Sequence, residues 1–248
     1  MSETGQVATG NSDAVVARLL GADALGLVLP PSGDVVPAVS FADLEWTAGV
    51  LERRARRFGS ADRRVLATVW WYSASSVLLT PPLAGLVTGI PLSARLADLS
   101  VAMLPGPLPA AAEAGAAGSG DLAADLRDSL GAVIAAVAEA GRMRERPLWA
   151  IATDSLANRL LALGQATGKT DRATGLAVPL AASVGPPLPS PRYEDVAGRR
   201  FVRRASCCLL DRTPGGPTCT SCPRRPPAER RRLLERLTGG VRGAGSRE

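Results

Sequence analysis

Residues 201–223, with the sequence FVRRASCCLLDRTPGGPTCTSCP, contain all four cysteines of the 248-residue chain. Cys207 and Cys208 are adjacent, and Cys219 and Cys222 follow ten residues later as a CxxC motif. Scattered cysteines usually serve as small apolar side chains, whereas four within one short segment indicate a single site. Thiolates prefer soft metals, so zinc and iron–sulfur are the two candidates for this site.

The spacing of the cysteines favours iron–sulfur but leaves zinc open. Structural zinc sites usually use two separated pairs, and only Cys219 and Cys222 have that form. Adjacent side chains such as those of Cys207 and Cys208 point opposite ways in an extended chain, so both would reach one tetrahedral ion only from a distorted backbone. A two-iron cluster spreads four ligands over two metal ions and accommodates an adjacent pair more easily.

Several reaction classes are excluded by what the chain lacks. It contains no histidine, which excludes a Rieske centre, histidine-ligated haem, and Ser–His–Asp or Cys–His catalysis. No GxGxxG motif follows a predicted strand, so a Rossmann-type nucleotide site has no support. The stretch GQATGKT at 164–170 resembles a phosphate-binding loop. Its glycines are one residue too close and it follows a helix, so we interpret it as a helix end and a turn.

Positive charge is concentrated around the cysteines. The net charge is +6, yet residues 199–236 hold eleven arginines against three acidic residues, which gives +8 there and about −2 elsewhere. A basic segment often binds nucleic acid, so one alternative is a zinc-stabilised basic nucleic-acid-binding module. Cations beside a negatively charged iron–sulfur centre would instead favour its reduced form, and this second interpretation explains why the two features coincide.

The periodicity of apolar residues predicts a mainly helical α+β fold with a C-terminal cysteine-rich iron–sulfur lobe. The tryptophans at 70, 71 and 149 and Tyr72 are expected in the core, with a ligand pocket as the alternative. The predicted elements are strands around 25–29 and 35–39, helices at 45–58 and from the N-cap Ser60 to Pro81, a strand at 97–104, a connector at 105–120, and helices at 121–140, 147–164 and 227–237, the last stopped by Gly239-Gly240.

Composition divides the chain into five predicted segments. They are a disordered start at 1–14, a mainly helical body at 15–184, a Pro-rich linker at 185–198, a cluster-binding segment at 199–238 and a loose tail at 239–248. The N-terminal residues lack the pattern of a signal peptide, which predicts a cytoplasmic protein with reduced thiols. The uncharged stretch 65–94 is interrupted by Pro81-Pro82, so no membrane insertion is expected.

The adjacent cysteine pair, the ten-residue spacing and the CxxC motif followed by Pro223 resemble the C-terminal signature of the FhuF-type ferric siderophore reductases. Residues 146–149, RPLW, and the helix after them resemble a stretch upstream of that signature more weakly. The resemblance implies that Cys207, Cys208, Cys219 and Cys222 bind a 2Fe–2S cluster.

The resemblance also implies an enzyme, a one-electron oxidoreductase that reduces siderophore-bound ferric iron to Fe(II) for release inside the cell. The expected partners are a ferric siderophore substrate and an external electron donor, either ferredoxin-like or flavin-containing, with no nucleic acid. Arg203, Arg204 and Arg224 are candidates for tuning the cluster or docking an acidic donor. A further alternative is a 2Fe–2S electron-transfer protein with another acceptor.

Overall fold

The structure is a computed structural model that describes residues 9–21, 26–27, 29, 34–118 and 120–242. Its helices are α1 (Thr9–Leu20), α2 (Leu44–Phe58), α3 (Arg63–Thr88), α4 (Leu122–Ala140), α5 (Arg146–Ala166), α6 (Thr170–Gly175), α7 (Ala177–Val184) and α8 (Pro227–Arg242). Its strands are β1 (Asp34–Pro37), β2 (Leu99–Leu104), β3 (Leu108–Ala114), β4 (Tyr193–Val196) and β5 (Arg199–Val202). The predicted α+β fold, mainly helical with the cysteines in a C-terminal lobe, is confirmed.

The larger sheet is antiparallel with strand order β1–β2–β3. Val36 faces Val101 across β1 and β2, and Val101 faces Ala112 across β2 and β3. The predicted strand at 97–104 is therefore confirmed, and the predicted strand at 35–39 corresponds to β1, which pairs with β2. Its predicted pairing with 25–29 stays a prediction. Residues 25–29 lie largely outside the described residues.

Strand β3 lies inside residues 105–120, so the prediction of a connector there is wrong. Three of its alanines, Ala111, Ala112 and Ala114, are buried where the strand packs against α3. Because these side chains are small and similar, the sequence suggested a low-complexity connector, but their small size lets β3 lie close to α3. Pro109 is tolerated because β3 is an outer strand of the three.

Helix α3 continues through Pro81 and Pro82, where the sequence predicted its end. That prediction is wrong because both proline rings are buried in the apolar interior, which offsets the two missing N–H donors. The helix also begins later than predicted. Asp62, rather than Ser60, is the N-cap, and its carboxylate accepts a hydrogen bond from the N–H of Val65 at 3.1 Å.

The predicted helices at 121–140 and 147–164 correspond to α4 and α5, and α3 and α5 pack along each other through the main core. Trp70, Trp71 and Trp149 are buried there, as expected. The indole N–H of Trp71 donates to the carbonyl of Leu148 at 2.8 Å, which ties α3 to the first turn of α5. Helix α5 therefore has a fixed position relative to α3.

Strands β4 and β5 form a hairpin that joins the core to the cysteine segment. Its turn has positive φ angles at Ala197 and Gly198, 47° and 78°, as a type I′ turn requires. The hydroxyl of Tyr193 donates to the carbonyl of Ala157 in α5 at 3.0 Å. β4 thus begins within the predicted linker 185–198.

The remaining boundaries concern the two ends of the chain. α1 begins at Thr9, within the predicted disordered start, and the division into five segments stays a prediction. α8 continues to Arg242, so the prediction that Gly239-Gly240 stops it is wrong; a helix tolerates glycine at a cost of about 1 kcal/mol per residue. Among the described helices, none is long and apolar enough to cross a membrane.

Candidate iron–sulfur centre

The cysteine segment lies between β5 and α8. Its first pair, Cys207 and Cys208, precedes a 3₁₀ turn at Leu210–Arg212. Its second pair closes a tight turn, in which the N–H of Cys222 donates to the carbonyl of Cys219 at 3.2 Å. All four thiols are free, Cys208 and Cys222 being buried and the other two half-buried.

The fold brings the four thiols together as two pairs. The sulfurs of Cys207 and Cys222 are 3.8 Å apart. Cys208 and Cys219 form the second pair and share a hydrogen bond. Two thiolates on one tetrahedral ion, with metal–sulfur bonds of about 2.3 Å, would be about 3.8 Å apart. Each pair takes one cysteine from each motif, so the arrangement suits two metal ions with two thiolates each.

Backbone N–H groups face three of the four sulfurs. The N–H of Leu209 donates to the sulfur of Cys207 at 3.4 Å. The N–H groups of Leu210 and Arg224 donate to Cys208 and Cys222. Leu209 adopts a left-handed backbone with φ of 58°, which costs a residue with a side chain about 1–2 kcal/mol. The strained residue Leu209, which follows Cys207 and Cys208, is thus itself one of the residues whose N–H groups stabilise the thiolates.

A buried arginine, Arg204, contacts the sulfur of Cys219 and that of its pair partner Cys208. The Nη1 of Arg204 donates to the sulfur of Cys219 at 3.3 Å and to that of Cys208 at 3.7 Å. Its Nε lies 3.4 Å from a carboxylate oxygen of Asp154, and both side chains are at most 3% exposed. The guanidinium also lies over the ring of Tyr72, 4.9 Å from its centre. Its Nη2 is buried without a hydrogen-bond partner among the described residues.

Asp154 connects α5 to the start of the cysteine segment. One of its oxygens accepts from the N–H of Ala205 at 2.6 Å and the other from the N–H of Ser206 at 3.1 Å. Burial raises the pKa of this carboxyl, while the two N–H groups and Arg204 act in the opposite direction. Because a guanidinium stays charged, Asp154 serves as its buried counter-ion and fixes the backbone just before Cys207.

The four thiols have different surroundings, which lower the pKa of two of them and raise the pKa of the other two. The hydrogen bond from Cys219, the N–H of Leu210 and Arg204 together lower the pKa of Cys208 to about 5, although burial opposes ionisation. Burial also opposes ionisation of Cys222, but hydrogen bonds from Arg224 and Cys207 outweigh it and lower its pKa. Burial raises the pKa of Cys207, and the hydrogen bond to Cys208 is the main cause of the raised pKa of Cys219. Each pair therefore contains one thiol with a lowered pKa, which favours metal binding.

The predicted arginines have different surroundings. Arg204 contacts the sulfurs, whereas Arg203 is exposed and has no contact with them among the described residues. Arg224 is exposed, hydrogen-bonds to Cys222 and forms an ion pair with Asp211. Asp154 was not among the predicted site residues, although an acidic residue among the mostly apolar buried residues of α5 was a signal that could have identified it.

Within the described part of the chain, no three His, Cys, Asp or Glu side chains lie close enough together to bind a single metal ion. The donor set suits a two-iron cluster instead, since four thiols in two pairs are accompanied by a buried cation and three N–H donors.

The site thus has the features of a 2Fe–2S protein. The sequence model of the FhuF 2Fe–2S C-terminal domain matches residues 204–224, the segment that contains all four cysteines. The resemblance predicted from the cysteine spacing is confirmed for this segment, and so is the predicted cofactor, a 2Fe–2S cluster. No curated protein and no solved structure matches the chain.

Proposed function

We propose that this protein reduces ferric iron held by a siderophore, using a 2Fe–2S cluster bound by Cys207, Cys208, Cys219 and Cys222. The observation that carries the proposal is the presence of two pairs of free thiols in the segment that matches the FhuF 2Fe–2S domain. In this arrangement Cys207 and Cys222 would hold one iron, and Cys208 and Cys219 would hold the other. The reducing cytoplasm, where thiols stay free, is the compartment that suits such a site.

When bound by these four cysteines, a 2Fe–2S cluster would supply one-electron chemistry, through which an electron from an external donor would reduce the Fe(III) of the chelate to Fe(II). Hard oxygen donors hold Fe(III) more tightly than Fe(II), so the chelator then releases the metal. A one-electron centre does not accept hydride, so the expected donor is a ferredoxin-like or flavin-containing protein rather than NAD(P)H alone.

The chain's own residues favour the reduced, more negative state. Arg204 holds a permanent positive charge against the sulfurs of Cys208 and Cys219. Backbone N–H groups donate hydrogen bonds to the sulfurs of Cys207 and Cys222, which also stabilises negative charge there. Burial of Arg204 keeps water from screening its charge, which strengthens its effect on the potential, while the Asp154 carboxylate beside its Nε offsets part of that charge.

Anaerobic purification followed by iron, sulfide and zinc analysis tests the cofactor ligands. We expect about two iron and two sulfide per chain and a red-brown colour. Serine in place of any one of the four cysteines should lose or destabilise the cluster, while Ser221→Ala, a change within the CxxC turn that removes no thiol, should keep it. Stoichiometric zinc in protein made with ample iron would support the basic zinc module instead.

A second experiment tests the reaction. The cluster is reduced anaerobically and mixed with a panel of ferric catecholates, carboxylates and hydroxamates, and Fe(II) is trapped with a ferrous chelator. We expect the cluster to be reoxidised as Fe(II) appears in equal amount. If no ferric chelate reoxidises it, the protein is an electron carrier with another acceptor.

A further inference from the structure

An open cavity of about 600 Å³ lies beside Cys207. The first turn of α3, the residues around the start of α5 and the cysteine segment form its walls, with Arg64, Met143, Pro147 and Arg212 among the lining residues. Of the four cysteines, Cys207 lines it. A volume of this size is typical of sites for small molecules, for which the range is about 300–1,000 Å³. The cavity therefore brings a small molecule next to one of the proposed cluster ligands.

Positive charge dominates the cavity. Arg64, Arg212 and Arg224 line it, against Asp62 as the acidic residue. The carboxylate of Asp62 caps the N-terminus of α3, whose positive end offsets its charge. Arg224 is paired with Asp211, whereas no ion pair among the described residues involves Arg64 or Arg212. Two exposed cations thus remain for an anionic ligand.

The positive surface continues beyond the cavity. A neighbouring hollow of about 610 Å³ shares Arg64, Met143 and Pro147 with it. Arg142 and Arg144 line that hollow, together with Glu139. A ligand that fills the cavity and extends past Arg64 would therefore meet further arginines.

We infer that this cavity binds the ferric chelate, and that Arg64 and Arg212 select anionic chelates of the catecholate or carboxylate class over neutral hydroxamates. A tris(catecholate) ferric complex is strongly anionic, whereas a tris(hydroxamate) complex is neutral. A protein donor would need a surface of about 800 Å² on each partner rather than a concave pocket, so a small molecule is the better occupant. The inference rests on the proposed function and assigns its substrate class and binding site.

Binding of redox-inert gallium(III) chelates to the cluster-loaded protein tests this inference without any reduction step. Ga(III) forms complexes of the same charge as Fe(III), and calorimetry measures their affinity. We expect a tris(catecholate) to bind more tightly than a tris(hydroxamate). Arg64→Gln and Arg212→Gln should each weaken catecholate binding about 3–5-fold, the size of one partly exposed charge pair, with little change for the hydroxamate.

The matched control is Arg56→Gln, which removes one exposed arginine from α2, outside the cavity. Because Arg64 and Arg212 are also exposed, all three variants should fold, and the visible spectrum checks that each retains its cluster. Equal affinity of both chelate classes would overturn the selection. Catecholate binding that responds to Arg56→Gln as strongly as to the cavity variants, or no binding at all, would overturn the site.

The outcome for the inference is separate from that for the proposed function. Fe(III) chelates that reoxidise the cluster equally well in all variants would support the reductase and refute this site. Gallium chelates that bind at the arginines, with no reoxidation by their ferric counterparts, would support the site and refute the reductase.

Discussion

Arg204 is the residue that links the body of the protein to the electronic properties of the site. It contacts the sulfurs of Cys208 and Cys219 and, through its Nε, the carboxylate of Asp154. A buried arginine in this position does two things at once. It holds the sulfur pair against α5, and it adds a positive charge that no change of pH removes.

Arg204→Lys should lower the reduction potential of the cluster. A lysine keeps the charge, but its single ammonium cannot bond Asp154 and both sulfurs together. A hydrogen bond to a charged group contributes about 1.5–3 kcal/mol, and only the part gained on reduction affects the potential, so the shift is at most about 60–130 mV for one electron. A redox titration followed by absorbance measures this shift. A potential equal to that of the native protein would mean that Arg204 is structural only.

Asp154→Asn should weaken retention of the cluster. The amide offers one oxygen where the carboxylate accepted from the N–H groups of Ala205 and Ser206, and it leaves Arg204 as a buried charge without a counter-ion. Breaking a buried pair in this way costs about 3–5 kcal/mol. Iron content after gel filtration and the thermal unfolding midpoint measure the effect. Asp128→Asn, at an exposed carboxylate of α4, is the matched control and should change neither quantity.

The sequence alone predicted that the four cysteines form the site, but not that Arg204 and Asp154 are the buried residues that hold it in place. The four thiols are distinctive by type and spacing, so they are recognisable without a fold. Asp154 is 50 residues from Arg204 in the chain, and only the packing of the cysteine segment on α5 brings the two together. The charge run around the cysteines was visible, yet burial separates Arg204 from its exposed neighbour Arg203.

Among the helices and strands, predictions from local sequence signals failed where tertiary packing outweighed those signals. Pro81 and Pro82 are strong helix breakers by propensity, but α3 lies in the core and its apolar surface sustains it. The alanines of β3 suggested a connector because small residues carry little periodic signal. By contrast α4 and α5, with long runs of large apolar residues at helical spacing, were predicted close to their observed bounds.

The contact between α5 and α6 leads to a prediction about glycine. A Cβ on Gly164 would lie 2.8 Å from the Cα of Thr170 and 2.9 Å from the Cβ of Ala173, so Gly164→Ala must push the helices apart. We expect a loss of about 1–3 kcal/mol in the free energy of unfolding, measured by urea denaturation. The close approach of α6 also explains why the first residue of the GQATGKT stretch, Gly164, is a glycine, since any larger residue would meet Thr170.

Gly175→Ala is the control within the same element. Gly175 is helical, and a Cβ there would meet no atom within 4 Å. Alanine should therefore be neutral or stabilise the protein by up to about 1 kcal/mol. If both variants lost stability equally, helix contact at Gly164 would not be the cause.

The main apolar core and the cysteine segment are nearly separate. The core is built from residues between 16 and 188. The cysteine segment meets this body through polar contacts at Asp154 and through Arg204, which lies over the ring of Tyr72. The hairpin before it packs on α5 through a small apolar cluster of Ala157, Leu161 and Val202. This arrangement leaves the cluster environment adjustable without repacking the core.

The body should accordingly keep its fold when the cluster is lost. In Cys219→Ser the helices α1–α7 retain their core, and α8 keeps its contacts with the β4–β5 hairpin, among them the ion pair between Arg230 and Glu194. Far-UV circular dichroism should therefore keep most of its helical signal, while limited proteolysis should cut between residues 205 and 226. Ser221→Ala, with all four thiols intact, should show neither the cuts nor loss of iron. Collapse of the helical signal in Cys219→Ser would instead mean that body and cysteine segment unfold as one cooperative unit, and that the predicted boundary near residue 185 does not separate them.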